Sequence, residues 1–227
     1  MASRREHVLL IGPQGSGKGT QATTVAPKLG LVHVATGDLF RSLMATDTDL
    51  ARTVRQYYEQ GVLVPDELTI QVLWTRLDEL DRTRPEYRGV LLDGFPRTRP
   101  QAEALDALLD ERGDALVAVI YLKVPRGVLT ERLSGRLICQ QCGATYHATF
   151  NPPRHPGTCD RCGGKLTQRS DDTPEAIARR LDSYEAQTAP LLDYYRQRGL
   201  LVEIDGNCSI EEVTRSILDA LTPILGA

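Results

Sequence analysis

The sequence lacks the features that mark membrane, exported and polyanion-coating proteins. Its longest apolar run, residues 115–122, is far shorter than the roughly 18 residues that span a bilayer. The apolar stretch behind the first arginines, residues 8–11, is too short for the core of a signal peptide. Lys and Arg total 27 against 30 Asp and Glu, so the formal net charge is −3 and the surface as a whole is not basic. We therefore expect a cytoplasmic protein that binds no membrane.

Cysteine is also scarce, and four of the five cysteines are clustered. In a chain without an export signal a disulfide framework is not expected, because the cytosol keeps thiols reduced. Two Cys-x-x-Cys pairs are separated by sixteen residues and comprise Cys139, Cys142, Cys159 and Cys162. Four thiolates fill the tetrahedral shell of Zn²⁺ and leave no open position, so the pattern predicts a structural zinc site.

The cysteine pattern leaves two alternatives open. The thiols could form two disulfides or remain free. Free thiols are less expected, because a segment of about 35 residues without a core needs a bound metal or a covalent cross-link to hold its fold. Paired Cys-x-x-Cys units also occur in ribbons that bind nucleic acid. The segment, however, has few clustered cations and only two aromatic residues, Tyr146 and Phe150. We therefore expect no nucleic-acid partner.

Short apolar runs alternate with helical patterns along the chain. The runs are predicted to be buried strands at residues 7–11, 31–35, 90–93, 116–122 and 200–205. Between them, apolar residues recur at helical spacing, most clearly in residues 66–81. Strands that alternate with helices predict an α/β fold with a five-stranded parallel sheet covered by helices on both faces.

Two segments interrupt this alternation. Residues 135–171 have no long apolar periodicity and contain several Pro and Gly turns, which indicates a small inserted domain. Residues 38–64 carry two short helical patterns and could form a second, purely helical excursion. We accordingly predict three units, and their bounds are 1–34 with 65–134 and 173–227 for the core, 35–64 for the helical unit and 135–172 for the inserted unit.

A phosphate-binding loop is predicted directly after the first strand. Residues 12–20 read GPQGSGKGT and lead into a helical pattern at residues 20–29. Glycines let backbone N–H groups converge on a polyphosphate at a helix N-terminus, and Lys18 reaches the outer phosphates. Gly19 follows the lysine, so the hydroxyl residue, Thr20, comes one place later than in the general pattern. The alternative is a glycine-rich turn without a ligand.

A second candidate site follows the third predicted strand. Residues 90–98 read VLLDGFPRT, so the strand ends in Asp93 and Arg97 follows four residues later. A carboxylate beside a phosphate loop suits Mg²⁺ or its bound waters, and the arginine would point at the same phosphates. Alone, such an aspartate could equally be a helix cap.

Arginine supplies almost all of the positive charge, because the chain has only four lysines. Arg132 and Arg136 bracket the start of the inserted segment, while Arg169 and Arg180 follow its end. The planar guanidinium matches phosphate oxygens bidentately and stays charged in any environment. Each arginine alone could be a solvated or ion-paired surface residue.

Together these motifs resemble the adenylate kinases of the long-lid type. The resemblance rests on residues 12–20, on residues 36–41 (TGDLFR) and on residues 93–98, and it runs from about residue 7 to 207. It implies a P-loop kinase with a helical AMP-binding insertion and a zinc-binding lid. The implied reaction converts ATP and AMP reversibly into two ADP with Mg²⁺, in adenine nucleotide homeostasis. A monomer is expected.

Two other activities remain open at this point. One is a related kinase that prefers UMP, CMP or another monophosphate. The other is an ATP-binding switch whose zinc ribbon contacts nucleic acid.

The resemblance also implies residue roles. The ATP side comprises Gly15, Ser16, Gly17, Lys18, Gly19, Thr20, Arg136, Tyr146, His147 and Cys208. The AMP side comprises Thr36, Arg41, Val62, Leu63, Val64, Gly94, Phe95, Pro96, Arg97, Gln101, Arg169 and Arg180. The catalytic set comprises Lys18, Asp93, Arg97, Arg132, Arg136, Arg169 and Arg180. Asp171 and Asp172 match an acidic pair that binds arginines when the lid closes.

Two positions depart from the family pattern. Gln14 stands where many relatives have proline. Cys208 falls where the adenine of ATP is contacted mainly through a backbone carbonyl. These two departures do not affect the expected reaction, but they leave its nucleotide preference less defined.

Overall fold

The computed structural model describes residues 4–60, 63–169 and 172–226. Five strands form one sheet in the order β2-β3-β1-β4-β8, and every neighbouring pair is parallel. A second, antiparallel sheet has the order β6-β5-β7. The strands are β1 (Glu6–Ile11), β2 (Val32–Ala35), β3 (Val90–Asp93), β4 (Ala115–Lys123), β5 (Arg136–Cys139), β6 (Thr145–His147), β7 (Leu166–Thr167) and β8 (Leu201–Asp205). The parallel sheet is confirmed, and each of its strands lies within one residue of its predicted bounds.

Helices cover both faces of the parallel sheet, as the alternating pattern predicted. They are α1 (Lys18–Lys28), α2 (Thr36–Met44), α3 (Asp49–Gln60), α4 (Asp66–Thr83), α5 (Arg99–Arg112), α6 (Arg126–Ser134), α7 (Pro174–Ser183), α8 (Leu191–Gln197) and α9 (Ile210–Leu225). A π-helical turn, Tyr184–Thr188, directly follows α7. The helix α1 begins at Lys18, two residues before the predicted start, and α4 runs two residues beyond the predicted end.

The core is divided by the sheet into two layers. Successive residues of β1 point to opposite faces, so Leu9 packs with α4, α5 and α8 while Val8 packs with α1 and α9. Both side chains are fully buried. Because β1 is buried on both faces, its sequence is a continuous apolar run rather than an alternating one.

The strand order changes direction at β1. The chain first places β2 and β3 on one side of β1 and then β4 and β8 on the other. In parallel sheets, ligands bind outside the carboxyl ends of the strands at such a switch point. The loops that follow β1 and β3 both begin there, so the fold brings residues 12–17 and 94–98 to the same edge.

Two small units project from this framework. The helices α2 and α3 share a cluster of Phe40, Val54 and Val64, and α2 begins at Thr36, two residues before the predicted start of the excursion. The second sheet has its own small core of Cys139, Tyr146, Cys159 and Leu166. These elements lie inside the predicted units, whose precise bounds stay a prediction. Among the described residues, the structure contains no helix with the length and apolar character of a membrane span.

Candidate active site

The loop between β1 and α1 has the conformation of an anion-binding loop. Gly15 and Gly17 have φ values of +84° and +96°, a left-handed region that glycine adopts without strain. Gly17 directly precedes α1 as its N-cap residue, and the helix has no acidic residue in its first turn and no side-chain cap. The backbone N–H groups of that turn are therefore left for an external anion, and the helix dipole favours negative charge there.

Lys18 folds back over this loop. Its Nζ donates hydrogen bonds to the carbonyl oxygens of Gly12 at 2.7 Å and Pro13 at 2.9 Å. Burial lowers the pKa of Lys18 to about 8, opposed by nearby Asp93 and reinforced by three arginines. These arginines are Arg97, Arg136 and Arg180. The cleft therefore concentrates positive charge, and a bound polyanion would stabilise it.

Asp93 lies beside the phosphate-binding loop because β1 and β3 are neighbours, with Leu10 opposite Asp93 in the register. Its Oδ2 lies 3.6 Å from where a Cβ on Gly19 would lie, and 3.7 Å from Nε2 of His33. Carboxylate oxygens are ligands that Mg²⁺ prefers. His33 was not singled out from the sequence, although its place two residues before the end of β2 puts it on the same face of the sheet as Asp93.

The turn after β3 holds Arg97 through several bonds. The Arg97 N–H donates to Oε1 of Gln101 at 2.7 Å, and its carbonyl accepts from Oγ1 of Thr188 at 2.9 Å. Its Nε donates to the carbonyl of Gly94 at 2.8 Å. Nε2 of Gln101 in turn donates to Oδ1 of Asp66 at 2.7 Å, which ties the turn to the start of α4. The Arg97 peptide is therefore held from both sides.

Gln101 and Thr36, which are expected to bind the acceptor base, both form hydrogen bonds within the protein. Gln101 is 2% exposed and bonds Arg97 and Asp66. Thr36 is equally buried, and its hydroxyl donates to the carbonyl of Gly94 at 3.0 Å. Each side chain therefore already uses part of its hydrogen-bonding capacity within the protein. The neighbouring Phe95 and Pro96 line a small cavity together with Lys18 and Arg97.

Arg136 and Arg180 meet at one carboxylate. Asp172, whose side chain has no exposed surface, accepts from Nε of Arg136 at 2.8 Å, from its Nη2 at 2.6 Å and from Nη1 of Arg180 at 3.1 Å. Arg169 is close enough to Arg136 to lower its pKa by charge repulsion, after the larger effect of burial. The structure thus gathers the hinge arginines that flank the second sheet. Arg132 lies elsewhere, donating to the carbonyl of Gly206 at 2.9 Å, near Cys208.

The remaining expected residues fall outside this cluster. Arg41 forms an ion pair with Asp38 within α2. Leu63 and Val64 lie between α3 and α4, where Val64 packs into the helical unit. Cys208 is exposed just before α9. Val62 and Asp171 lie outside the described residues.

The four clustered cysteines form a candidate metal centre. Their Sγ atoms all lie within 4.8 Å of one another, with Cys139 3.4 Å from Cys162 and Cys142 3.6 Å from Cys159. Sulfurs on a tetrahedral zinc at about 2.3 Å are separated by roughly 3.8 Å, so the spacing and the donor set fit Zn²⁺. All five cysteines are free thiols, which does not support the disulfide alternative.

Tyr146 and His147 are both turned toward the protein in this structure. The Tyr146 hydroxyl lies 3.5 Å from Sγ of Cys159 and accepts from the Asp160 N–H at 2.9 Å. Nδ1 of His147 accepts from the N–H groups of Thr149 and Phe150, and its Nε2 lies 3.3 Å from the Glu131 carbonyl. His147 therefore links the second sheet to α6 and is not grouped with the four thiols.

Known proteins resemble this chain over nearly its whole length. The adenylate kinase family model matches residues 10–200. The adenylate kinase of Carboxydothermus hydrogenoformans is 53% identical over 214 residues, 94% of this chain and 98% of the relative. That of Moorella thermoacetica is 53% identical over 215 residues, covering 94% and 97%. That of Desulforudis audaxviator is 49% identical over 215 residues, covering 95% and 99%.

The lowered pKa of Lys18 predicts a pH-dependent stability in the nucleotide-free protein. Below pH 8 the amine is charged in both the folded and the unfolded state, so its burial cost is fully present. Between pH 8 and 10.5 the unfolded chain keeps a proton that the folded chain releases, so folding becomes more favourable as pH rises. Relative to Lys18→Met, the wild type should gain about 2 to 3 kcal/mol of unfolding free energy across this window.

Urea unfolding of both proteins at several pH values measures this difference. Lys28→Met, which changes an exposed lysine at the end of α1, is the matched control. Parallel profiles for the wild type and Lys18→Met would show that Lys18 is not buried in this way.

Proposed function

The chain belongs to the adenylate kinase family, and we propose how its own residues carry out the reaction of that family. The protein is a phosphotransferase that interconverts ATP and AMP with two molecules of ADP. Among the activities that the sequence leaves open, the curated relatives support this one. The convergence of Lys18, Arg97, Arg136 and Arg180 on one cleft is the observation that supports the assignment of roles.

On the donor side, the phosphate-binding loop holds ATP. Backbone N–H groups of residues 15–20 bind the β- and γ-phosphates, and Lys18 exchanges its bonds with Gly12 and Pro13 for phosphate oxygens. Asp93 has the position and the oxygen donors to hold Mg²⁺ or its waters. A magnesium ion bound there would supply charge neutralisation for the phosphates. Arg132 supports the ATP side together with Asp93, and the backbone near Cys208 borders the adenine of ATP.

On the acceptor side, AMP lies between the Arg97 turn and the helical unit. Arg97 binds the AMP phosphate, and Arg41 approaches it from α2. The backbone of residues 62–64 and the side chains of Thr36 and Gln101 surround the base. The contact between Gln101 and Asp66 supports this placement, because it holds the amide at the edge of the sheet where the Arg97 turn lies.

The transfer itself requires positioning and charge neutralisation. An oxygen of the AMP phosphate attacks the γ-phosphorus of ATP while the bond to the β–γ bridging oxygen breaks, and two ADP result. The attacking phosphate is already ionised, so no general base is needed. Arg136, Arg169 and Arg180 neutralise the charge on the equatorial oxygens as the lid, the inserted unit of residues 135–172, closes. Arg136 and Arg180 must first exchange their contacts with Asp172 for contacts with phosphate oxygens.

The zinc site has a structural role. Cys139, Cys142, Cys159 and Cys162 fill all four positions of a tetrahedral ion, so no position is left for a substrate. The second sheet has a core of few residues, and metal binding supplies the free energy that folds it.

We also propose that the protein works as a cytoplasmic monomer without a membrane or nucleic-acid partner. Its five free thiols suit a reducing compartment. One chain supplies the residues of both nucleotide sites, so a second copy is not required. The net charge of −3 provides no broad basic surface for nucleic acid.

The acceptor specificity tests the proposed reaction. A site built to hydrogen-bond adenine penalises a base that leaves those groups without partners. In a coupled assay with ATP and one monophosphate at a time, kcat/KM for AMP should exceed that for UMP or CMP by more than about 10²-fold. Comparable values for a pyrimidine monophosphate would overturn the AMP assignment. Absence of ADP formation with every monophosphate would overturn the kinase assignment.

Arg97 should matter for turnover far more than an arginine outside the cleft. Arg97→Ala removes a charge aimed at the acceptor phosphate and should lower kcat by at least about 10²-fold. Arg76→Ala is the matched control, because Arg76 pairs with Glu79 on the surface of α4. Steady-state kinetics of both variants check this, together with thermal unfolding to show that each is folded. Equal turnover in the two variants would remove Arg97 from the transition state.

Metal content should depend on the clustered cysteines alone. Cys139→Ser and Cys162→Ser should lose zinc, whereas Cys208→Ser should keep one ion per chain, because Cys208 lies outside the cluster. Elemental analysis measures this. Chelation of the wild type should lower its thermal stability while ATP still binds at the phosphate loop. Loss of zinc from the Cys208 variant instead would contradict the assignment.

A further inference from the structure

A π-helical turn connects α7, the helix that follows the lid in sequence, to the cavity lined by Lys18 and Arg97. Tyr184–Thr188 follows α7 without a break. The Ala189 N–H donates at 2.9 Å to the carbonyl of Tyr184, five residues earlier, which is the bond of a π-turn. Such turns are rare and are frequent at functional sites, because the extra residue redirects the side chains that follow.

Thr188, the last residue of this turn, bonds across the fold instead of along its own helix. Its Oγ1 donates at 2.9 Å to the carbonyl of Arg97. In α4, by contrast, Thr75 donates at 2.9 Å to the Gln71 carbonyl one turn earlier. Thr188 is 6% exposed and lines the same small cavity as Lys18 and Arg97. Its hydroxyl therefore serves a contact at the active site.

The bond from Thr188 holds the backbone carbonyl of Arg97. The backbone N–H of Arg97 is held by Gln101, which lies in the first turn of α5, four residues after Arg97. Thr188 approaches from the opposite side and lies 91 residues away in sequence. With its N–H and its carbonyl both bonded, Arg97 has little freedom to rotate about its backbone.

The same helical segment carries Arg180. Eight residues separate Arg180 from Thr188, or about 12 Å along a helix. Arg180 reaches Asp172 and thereby the lid arginine Arg136. The segment from α7 through the π-helical turn therefore carries Arg180 at one end and bonds Arg97 through Thr188 at the other. It sets the distance between these two arginines.

We propose that Thr188 is a positioning residue for phosphoryl transfer, whose hydroxyl holds the Arg97 peptide so that the guanidinium meets the acceptor phosphate. The inference rests on the proposed role of Arg97 in AMP binding. In this proposal the Thr188 hydroxyl acts through Arg97. Its removal would leave the Arg97 carbonyl without its donor, and the turn would relax away from the orientation that the phosphate needs.

Substitutions at Thr188 test the proposal. Thr188→Val keeps the shape of the side chain and removes the donor, while Thr188→Ser keeps the donor. Thr188→Val should lower kcat/KM for AMP about tenfold, with a lower kcat as well as a higher KM for AMP because it disturbs Arg97, while KM for ATP stays within about twofold. Thr188→Ser should remain within about twofold of the wild type in both parameters.

Thr214→Val is the matched control, since it also removes a buried threonine hydroxyl but lies on α9. It should lower thermal stability without a selective change in KM for AMP. If Thr188→Val does not fold, Thr188→Ala replaces it with the same expected kinetics. If neither folds, the role of Thr188 is structural and the proposal is wrong.

Two kinetic results would also overturn the proposal. One is AMP kinetics for Thr188→Val that match those of Thr214→Val. The other is a failure of Thr188→Ser to restore KM for AMP. A wild type that forms no ADP from ATP and AMP would overturn the proposed function instead, so the two failures are distinguishable.

Discussion

Repulsion among cationic side chains in one cleft is the constraint on which the site depends. Lys18, Arg97, Arg136 and Arg180 lie close enough for each arginine to lower the pKa of the lysine. Without a nucleotide, this arrangement is held by backbone carbonyls around Lys18 and by the buried carboxylate of Asp172. In the proposed function, a polyphosphate would replace the carbonyl contacts of Lys18 with charge-assisted bonds and would compete with Asp172 for the arginines. The site is therefore organised before substrate binds, at a cost in stability that the two-layered core offsets.

The parallel sheet makes this convergence possible. Residues that lie more than 70 positions apart in sequence become neighbours because β1 and β3 are paired and both end at one edge. Asp93 faces the phosphate loop through this pairing, and Arg97 follows four residues later. The third contribution comes from beyond the lid, where α7 and the π-helical turn bring Arg180 and Thr188 back to the same edge. Three distant segments thus meet at the switch point of the sheet.

Local patterns predicted much of this arrangement, and contacts across the chain account for what they did not predict. The strands and the phosphate loop follow from apolar runs and from glycine and lysine spacing, which are properties of neighbouring residues. The cluster of four thiols follows from the spacing of the two Cys-x-x-Cys pairs between Cys139 and Cys162. The pairing of His33 with Asp93 and of Thr188 with Arg97 spans 60 and 91 residues, so no local pattern reports it. The π-helical turn has no simple sequence signature either.

The lid is attached by a few polar contacts at its hinges, and this has a consequence for its closure. Gln168 donates to the Ser134 carbonyl at 3.0 Å, and Nε2 of His147 lies 3.3 Å from the Glu131 carbonyl. The lid's small core is otherwise its own, so the unit can move with its internal structure intact. Asp172 holds Arg136 and Arg180 together at that hinge. Because a phosphate would compete with Asp172 for the same guanidinium groups, the proposed binding of a nucleotide by Arg136 and Arg180 requires this hinge contact to loosen.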